Sequence, residues 1–139
     1  MIDLENQTPV EIDISLLEKI AQTLTPKDCE LILTDNSTIQ ELNKEHRNID
    51  KPTDVLSFPL EFDLPNMPLG SIVISVDYAQ EKANEFQHTL QEEMTLLFIH
   101  GLLHLLGYDH EKDNGEQRAK EEALILEFNL PQSLIVRNS

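Results

Sequence analysis

One long segment, residues 90–106, most constrains the fold of this 139-residue chain. From Met94 onward it is apolar on nearly every side of a helix, which is typical of a helix buried inside a domain. Thr89 and Glu92 form a capping-box pattern before it, and Gly107 is a candidate left-handed cap after it. The apolar stretch is too short to span a bilayer. We therefore expect a central helix and no membrane association.

The rest of the chain divides into short strand and helix patterns. Strand patterns occur in four places: 1–6, 30–34, 55–60 and 70–75. Helix patterns occur at 14–24 and after the capping pairs Ser37–Gln40, Asp77–Gln80 and Asp113–Glu116. The buried face of the last helix is predicted to contain Ala119, Ala123, Leu126 and Phe128. The sequence thus predicts an α+β fold, a small mixed sheet of about four strands packed with about five helices around the buried central helix. Without a visible linker, residues 1–139 are expected to form a single domain.

The composition favours a globular protein of the cytoplasm. Apolar residues make up 40% of the chain and charged residues 26%. The single cysteine, Cys29, cannot form an internal disulfide and precedes an apolar run, so we expect a reduced, partly buried thiol. No secretory signal pattern is visible at the start. The net charge of −16 repels polyanions at long range and argues against nucleic acid as a partner, although a metal ion and an arginine can dominate the potential inside a cleft.

Three histidines lie at the end of the central helix and just beyond it. His100 and His104 are four residues apart, so on a helix both imidazoles project from the same face. Gly107 lets the chain turn back and bring His110 to a third position. A lone histidine in an apolar helix is usually a hydrogen-bonded core residue, but three in this pattern favour a metal site. Three imidazole ligands leave a position for water, whose pKa a bound Zn²⁺ lowers toward ~7. Copper, nickel and iron suit imidazole ligands as well.

The histidine spacing is that of the metzincin zinc proteases, with one departure. Those enzymes carry a glutamate directly after the first histidine as general base, and this chain has Gly101 there. No methionine follows His110, so the methionine turn of that class is missing too. The metal ligands are therefore retained while the protease base is not.

A second motif is the segment Arg47-Asn-Ile-Asp-Lys-Pro-Thr-Asp-Val-Leu-Ser-Phe-Pro59. Arg47 follows a predicted helix, from where its planar guanidinium can reach a cleft and bind phosphate oxygens. A surface ion pair is the plainer alternative. Thr53 and Asp54 precede a strand, where turn capping is the simplest explanation, and the role of Ser57 is open. Asp109 either orients a ligand imidazole or caps the turn after the helix.

With both motifs, the chain resembles the YbeY family of bacterial endoribonucleases, and the order of its elements agrees over about residues 1–130. The resemblance implies a zinc-dependent single-strand endoribonuclease in ribosomal RNA maturation and ribosome quality control. It implies one Zn²⁺ per chain held by His100, His104 and His110, and Arg47 beside the metal. Arg47 and His100 are then the expected catalytic residues. Precursor ribosomal RNA and the small ribosomal subunit, or its basic proteins, are the partners it implies.

Two other functions remain open from the residues alone. One is a metal-dependent hydrolase of a peptide or small ester, which Gly101 disfavours in its peptide form. The other is a non-catalytic ribosome-assembly factor with structural zinc, although structural zinc usually has four protein ligands. If RNA is the substrate, we expect a locally basic cleft around the metal and Arg47.

Overall fold

The computed structural model describes residues 1–60, 67–109 and 112–131 of the chain. Its strands are β1 (Ile2–Asn6), β2 (Cys29–Thr34), β3 (Val55–Pro59) and β4 (Gly70–Ser75). Its helices are α1 (Ser15–Leu24), α2 (Asn36–Arg47), α3 (Val76–Phe86), α4 (Leu90–Leu105) and α5 (Glu116–Glu127). The four strands and five helices of these ranges confirm the predicted α+β content, and their bounds agree closely with the predicted ones.

The four strands form one mixed sheet in the order β1-β2-β4-β3. The first three of these neighbours are parallel, while β3 runs antiparallel to β4 at the outer edge. The register pairs Leu4 with Leu31 and Leu31 with Ile72, so apolar side chains form rows across one face. Pro59 has no N–H to donate and fits in β3 because an edge strand is hydrogen-bonded on one side only.

Helix α4 is the buried centre of the molecule, as predicted. Its Phe98 and Leu102 are fully buried in the core cluster that contains Leu33 and Ile74 of the sheet, and α1 and α3 contribute to the same cluster. Helix α2 covers the opposite face of the sheet through Ile39. Among the helices of the described ranges, none is both long and apolar enough to cross a membrane.

The ends of α4 also follow the prediction. The capping box is present, with the Thr89 N–H donating to Glu92 Oε1 at 2.8 Å and the Glu92 N–H donating to Thr89 Oγ1 at 3.1 Å. At the other end Gly107 has a φ of 104°, in the left-handed half of the backbone map. The N–H groups of Gly107 and Tyr108 donate to the carbonyls of His104 and Leu103. This is a Schellman ending, and it turns the chain back over the histidines.

Two helices begin before the predicted capping residue. Asp35, and not Ser37, caps α2 by accepting from the Thr38 N–H at 2.8 Å. Ser75, and not Asp77, caps α3 by accepting from the Tyr78 N–H. In both cases the helix follows its strand almost directly, so the residue that ends the strand also supplies the cap. The predicted capping residues lie inside the first helical turns.

The predicted buried face of α5 is wrong at three of its four residues. Ala119, Ala123 and Leu126 are exposed, and Phe128 is half-buried. The side chains turned inward are instead two polar ones, Gln117 and Glu121, followed by Leu124 and Ile125. On this face the polar pair contacts His100 of α4, while Leu124 and Ile125 pack in the core clusters.

Candidate functional site

A cleft of about 590 Å³ brings the two sequence motifs together. It lies between the end of α4 and the edge strand β3, with the end of α2 at its rim. The lining residues are Arg47, Thr53, Asp54, Val55, Leu56, Ser57, His100, His104, Asp109 and Lys112. A larger cavity of about 730 Å³ lies elsewhere, around Asp3, Glu30 and Ser71, and has no histidine in its lining. The smaller cleft is therefore the candidate site, because it alone of the two contains residues of both sequence motifs.

The two helix histidines line the cleft as their spacing predicted. From Glu93 to Leu105 every residue of α4 is buried except His100, which is half-buried, and His104, which is exposed. Over this stretch α4 is therefore accessible to solvent only at its two imidazoles. The third predicted ligand, His110, lies outside the described residues. Within residues 1–60, 67–109 and 112–131, no group of three histidine, cysteine or carboxylate side chains is close enough to hold a metal.

A buried carboxylate of α5 contacts the His100 ring. Its Nδ1 lies 2.7 Å from Oε1 of Glu121, and Glu121 is only 1% exposed. A carboxylate at this position can accept from an Nδ1–H, and in that tautomer of a neutral ring Nε2 keeps its lone pair. A neutral imidazole with a free Nε2 lone pair is the form that binds divalent metals. His100 thus fits as one ligand of a metal, with Glu121 as the partner of the ring nitrogen that the metal would not use.

Gly101 is explained by close packing of α4 on the sheet. A Cβ at this position would lie 2.8 Å from Cγ2 of Ile72 and 3.2 Å from Oγ of Ser57. The Ser57 hydroxyl also donates to the Gly101 carbonyl at 3.1 Å, which assigns the open role of Ser57 to fastening β3 against α4. A glutamate does not fit here, so the general base of the metzincin pattern is excluded by the packing itself.

Arg47 lies at the last position of α2 and lines the cleft with an exposed side chain. The next residue, Asn48, ends the helix with a left-handed φ of 58°. The buried Asn43 then fastens the following loop. Its side-chain Nδ2 donates to the Lys51 carbonyl at 2.9 Å, and its backbone carbonyl accepts from the Ile49 N–H. The base of Arg47 is therefore fixed while its guanidinium can reach into the cleft.

Two predicted carboxylates also lie at the cleft. Asp54 caps the start of β3, its Oδ1 accepting from the Val55 N–H at 2.8 Å, which confirms the turn-capping interpretation. The backbone carbonyl of Asp109 accepts from the N–H groups of Lys112 and Asp113 and so shapes the turn. An orienting role of the Asp109 side chain toward His110 stays a prediction, because His110 is outside the described residues.

The cleft is much less acidic than the chain as a whole. Among the described residues, its lining contains two cations, Arg47 and Lys112, and two carboxylates, Asp54 and Asp109. With neutral histidines these charges sum to zero, against −16 for the whole sequence. A divalent metal would make the cleft positive. Field lines concentrate in such a concave site, so a polyanion can be attracted locally by a protein that repels it at a distance.

Sequence reasoning missed three residues of this site. Lys112 could have been noticed as the first cation after the histidine motif. The inward placement of Gln117 and Glu121 had a weaker signal: together with Leu124, Ile125 and Phe128 they are spaced as one helix face. That signal was obscured because both are polar, and a polar pair on an inward face is expected only once its partner is known.

Comparison with known proteins is consistent across the chain. Residues 4–129 match the family model described as Endoribonuclease YbeY. A protein of Aliarcobacter butzleri named "Endoribonuclease YbeY" is 71% identical over 140 residues and covers all of both chains. One of Nautilia profundicola with the same name is 64% identical, covering 99% of each. A solution structure of a Thermotoga maritima protein superimposes with a TM-score of 0.58 at 30% identity, covering 93% of this chain and 92% of the other.

Proposed function

The chain belongs to the YbeY family of endoribonucleases, and from that membership we propose that it is a metal-dependent enzyme that cleaves single-stranded RNA in ribosomal RNA maturation and ribosome quality control. The observation that supports this most is the cleft in which Arg47 of α2 shares a lining with His100 and His104 of α4. A cation fork opposite two aligned imidazoles suits a phosphodiester better than a neutral peptide or ester.

The residues proposed to hold the metal are His100, His104 and His110, with one Zn²⁺ per chain. When bound, the metal supplies Lewis acidity and makes hydroxide available at neutral pH. His100 fits this role because Glu121 lies 2.7 Å from its Nδ1, which leaves Nε2 as the nitrogen that would bind the metal. His104 is exposed in the same cleft, one helical turn further on.

Arg47 is proposed to bind the scissile phosphate. Its guanidinium can donate two parallel hydrogen bonds to phosphate oxygens and stabilise the charge that develops there. Lys112 adds a second cation to the lining. An unpaired strand can place one phosphate deep in such a cleft, whereas the stacked bases of a duplex hold its backbone in one shape. Arg47 and His100 are thus the proposed catalytic residues.

Further parts of the proposal concern the setting of this activity. We place it in the cytoplasm, with residues 1–139 acting as one domain. Precursor ribosomal RNA is the proposed substrate and the small ribosomal subunit the proposed partner. The net charge of −16 supports a contact with basic ribosomal proteins, since such a surface attracts cationic partners and avoids RNA away from the cleft.

The proposal is tested by the substitution His104→Ala, purified from a nuclease-deficient host and assayed on a single-stranded RNA. We expect cleavage to fall by at least about a hundredfold, the size of effect that loss of a positioned catalytic group produces. The matched control is His88→Ala, because His88 precedes α4 and lies about 20 Å from His104 along the helix. Undiminished cleavage by His104→Ala, or an equal loss in both variants, would contradict the assignment.

The structural-zinc alternative is distinguished by the same two proteins. A structural metal would leave the His104→Ala variant with a lower free energy of unfolding, because such sites contribute directly to folding. A metal that serves chemistry would leave folding nearly unchanged while cleavage is lost. Chemical denaturation of both variants therefore separates the two functions.

A further inference from the structure

Two buried polar side chains of α5 lie directly beneath the cleft. Gln117 is fully buried and Glu121 is 1% exposed, on the same inward face of α5 as the buried Leu124 and Ile125. Burying a carboxylate in such surroundings is costly unless its oxygens accept hydrogen bonds. An apolar pair would pack the same helix without that cost. The position of the pair therefore points to a role beyond packing.

The contacts around the pair fix the orientation of the Gln117 amide. The Gln117 amide nitrogen lies 3.2 Å from the His100 carbonyl and 3.4 Å from Glu121 Oε1, both of which only accept. Its nitrogen therefore faces α4. Glu121 Oε1 is thus within hydrogen-bond distance of both this amide, at 3.4 Å, and His100 Nδ1, at 2.7 Å. Gln117 Nε2 is also 3.4 Å from His100 Nδ1, a much longer contact than the 2.7 Å between Nδ1 and Glu121, so the carboxylate is the principal partner of Nδ1.

We propose that Glu121, held in place by Gln117, is a positioning residue that fixes the Nδ1–H tautomer and the ring orientation of His100, so that its Nε2 is presented to a divalent cation in the cleft. The inference rests on the metal-dependent function proposed above. It makes α5 part of the site, although no residue of α5 is in the cleft lining. Carboxylate partners of this kind commonly change metal affinity by about 10–100-fold.

The first test reads the tautomer in the metal-free protein, by nitrogen-15 NMR of labelled histidine. The wild type should show His100 protonated at Nδ1. Glu121→Met has similar volume but no acceptor, so the fraction of that tautomer should fall. Glu121→Gln retains an acceptor oxygen and should restore it. A wild-type His100 protonated at Nε2, or a signal unchanged in Glu121→Met, would overturn the inference, because mere space-filling leaves the tautomer where it is.

The second test measures affinity for Zn²⁺ by competition with a chelator. We expect Glu121→Gln to bind about tenfold more weakly, since the carboxylate charge is gone while the hydrogen bond stays, and Glu121→Met to bind about a hundredfold more weakly. Glu122→Gln is the matched control, because Glu122 pairs with Arg118 on the outer side of α5. Equal affinities in all four proteins would overturn the inference. If Glu121→Met does not fold, the tenfold loss in Glu121→Gln decides alone.

These readouts separate this inference from the proposed function. A fixed tautomer and weakened Zn²⁺ binding in a protein that leaves RNA intact would support the positioning role and contradict the nuclease. Cleavage of RNA, together with a Zn²⁺ affinity that does not change when Glu121 is substituted, would support the nuclease and contradict the positioning role.

Discussion

At the residue scale, Gly101 determines that α4 has no general base beside its first histidine. Its missing side chain lets the helix approach β3 and β4 closely, with Ile72 and Ser57 filling the space where a Cβ would lie. The same approach brings the imidazoles of α4 beside the lining residues of β3. Gly101 thus stands where a protease has its general base, and it also allows the close packing that forms the cleft.

This packing predicts a stability loss in Gly101→Ala. Overpacking at a tight core contact costs about 1–3 kcal/mol, which outweighs the roughly 1 kcal/mol of helix propensity that alanine gains over glycine. Urea unfolding should therefore show a lower free energy of unfolding. In an Ile72→Ala background the same substitution should cost less, since the closest neighbour is gone. Equal costs in the two backgrounds would show that Ile72 does not define the contact.

The thiol of Cys29 gives a pH-dependent prediction. Burial raises its pKa to about 11, from an ordinary value near 9.0. Between these values the unfolded chain releases the proton while the folded one keeps it, so stability falls as pH rises from about 9 to 11. The free energy of unfolding measured with urea should fall more steeply across that pH range for the wild type than for Cys29→Ala. Parallel pH dependences in the two proteins would mean that the thiol ionises equally in both states.

The histidine pair could be predicted from sequence because four residues on one helix fix which side chains are neighbours. The Glu121 partner could not, since it lies 21 residues further along on another helix. Its contact depends on how α5 packs, which no local spacing encodes. Gly101 could be read as the absence of a base but not as a close contact, because Ile72 and Ser57 come from different strands.

At the scale of elements, α5 shows what a polar contact does to an amphipathic helix. Its inward face begins with Gln117 and Glu121 and ends with Leu124 and Ile125. Leu126, one position further on, is 54% exposed. The apolar pattern alone predicted the opposite face, because it gave weight to alanines that the structure leaves in solvent.

The rotation of α5 is tested by a matched pair of leucines. Leu124→Ala should lower the free energy of unfolding by about 2–5 kcal/mol, because Leu124 is buried against Ile99 and Leu103 of α4. Leu126→Ala should change it by no more than about 0.5 kcal/mol, as exposed positions do. The reverse order of the two losses would restore the face predicted from the sequence.

Over the whole molecule, the main physical problem is how a chain of charge −16 binds RNA. Among the described residues, the lining of the cleft balances two cations against two carboxylates, so these groups add no net negative charge there. Binding then depends on few ionic contacts and on the metal. This differs from the broad basic surface by which most nucleic-acid-binding proteins attract their ligand.

A shallow salt dependence follows from this arrangement. With two cations at the cleft, the logarithm of the affinity of the metal-free protein for single-stranded RNA should fall with the logarithm of salt at a slope of about −1.4. Removing one of them in Lys112→Ala should reduce the slope to about −0.7. A slope several times steeper in the wild type would place the RNA on a different and more basic surface.

The class of the fold could be predicted well from pattern, and its arrangement could not. Periods of two and of about 3.6 residues located the strands and helices, and the all-round apolar segment located α4. The order β1-β2-β4-β3 depends on which strands meet after folding, so the placement of β3 at the edge, beside the histidines, came only with the structure. That placement joins the two motifs into one cleft.

The central claim, that this cleft is a metal-dependent site for RNA cleavage, is tested most directly by metal removal and return. Cleavage of a single-stranded RNA is measured after chelator treatment and then during stepwise addition of Zn²⁺, for the wild type and for His104→Ala. We predict that chelation abolishes wild-type cleavage, that activity returns up to one equivalent of Zn²⁺ per chain, and that His104→Ala does not recover. Full cleavage after complete removal of metal would contradict the account.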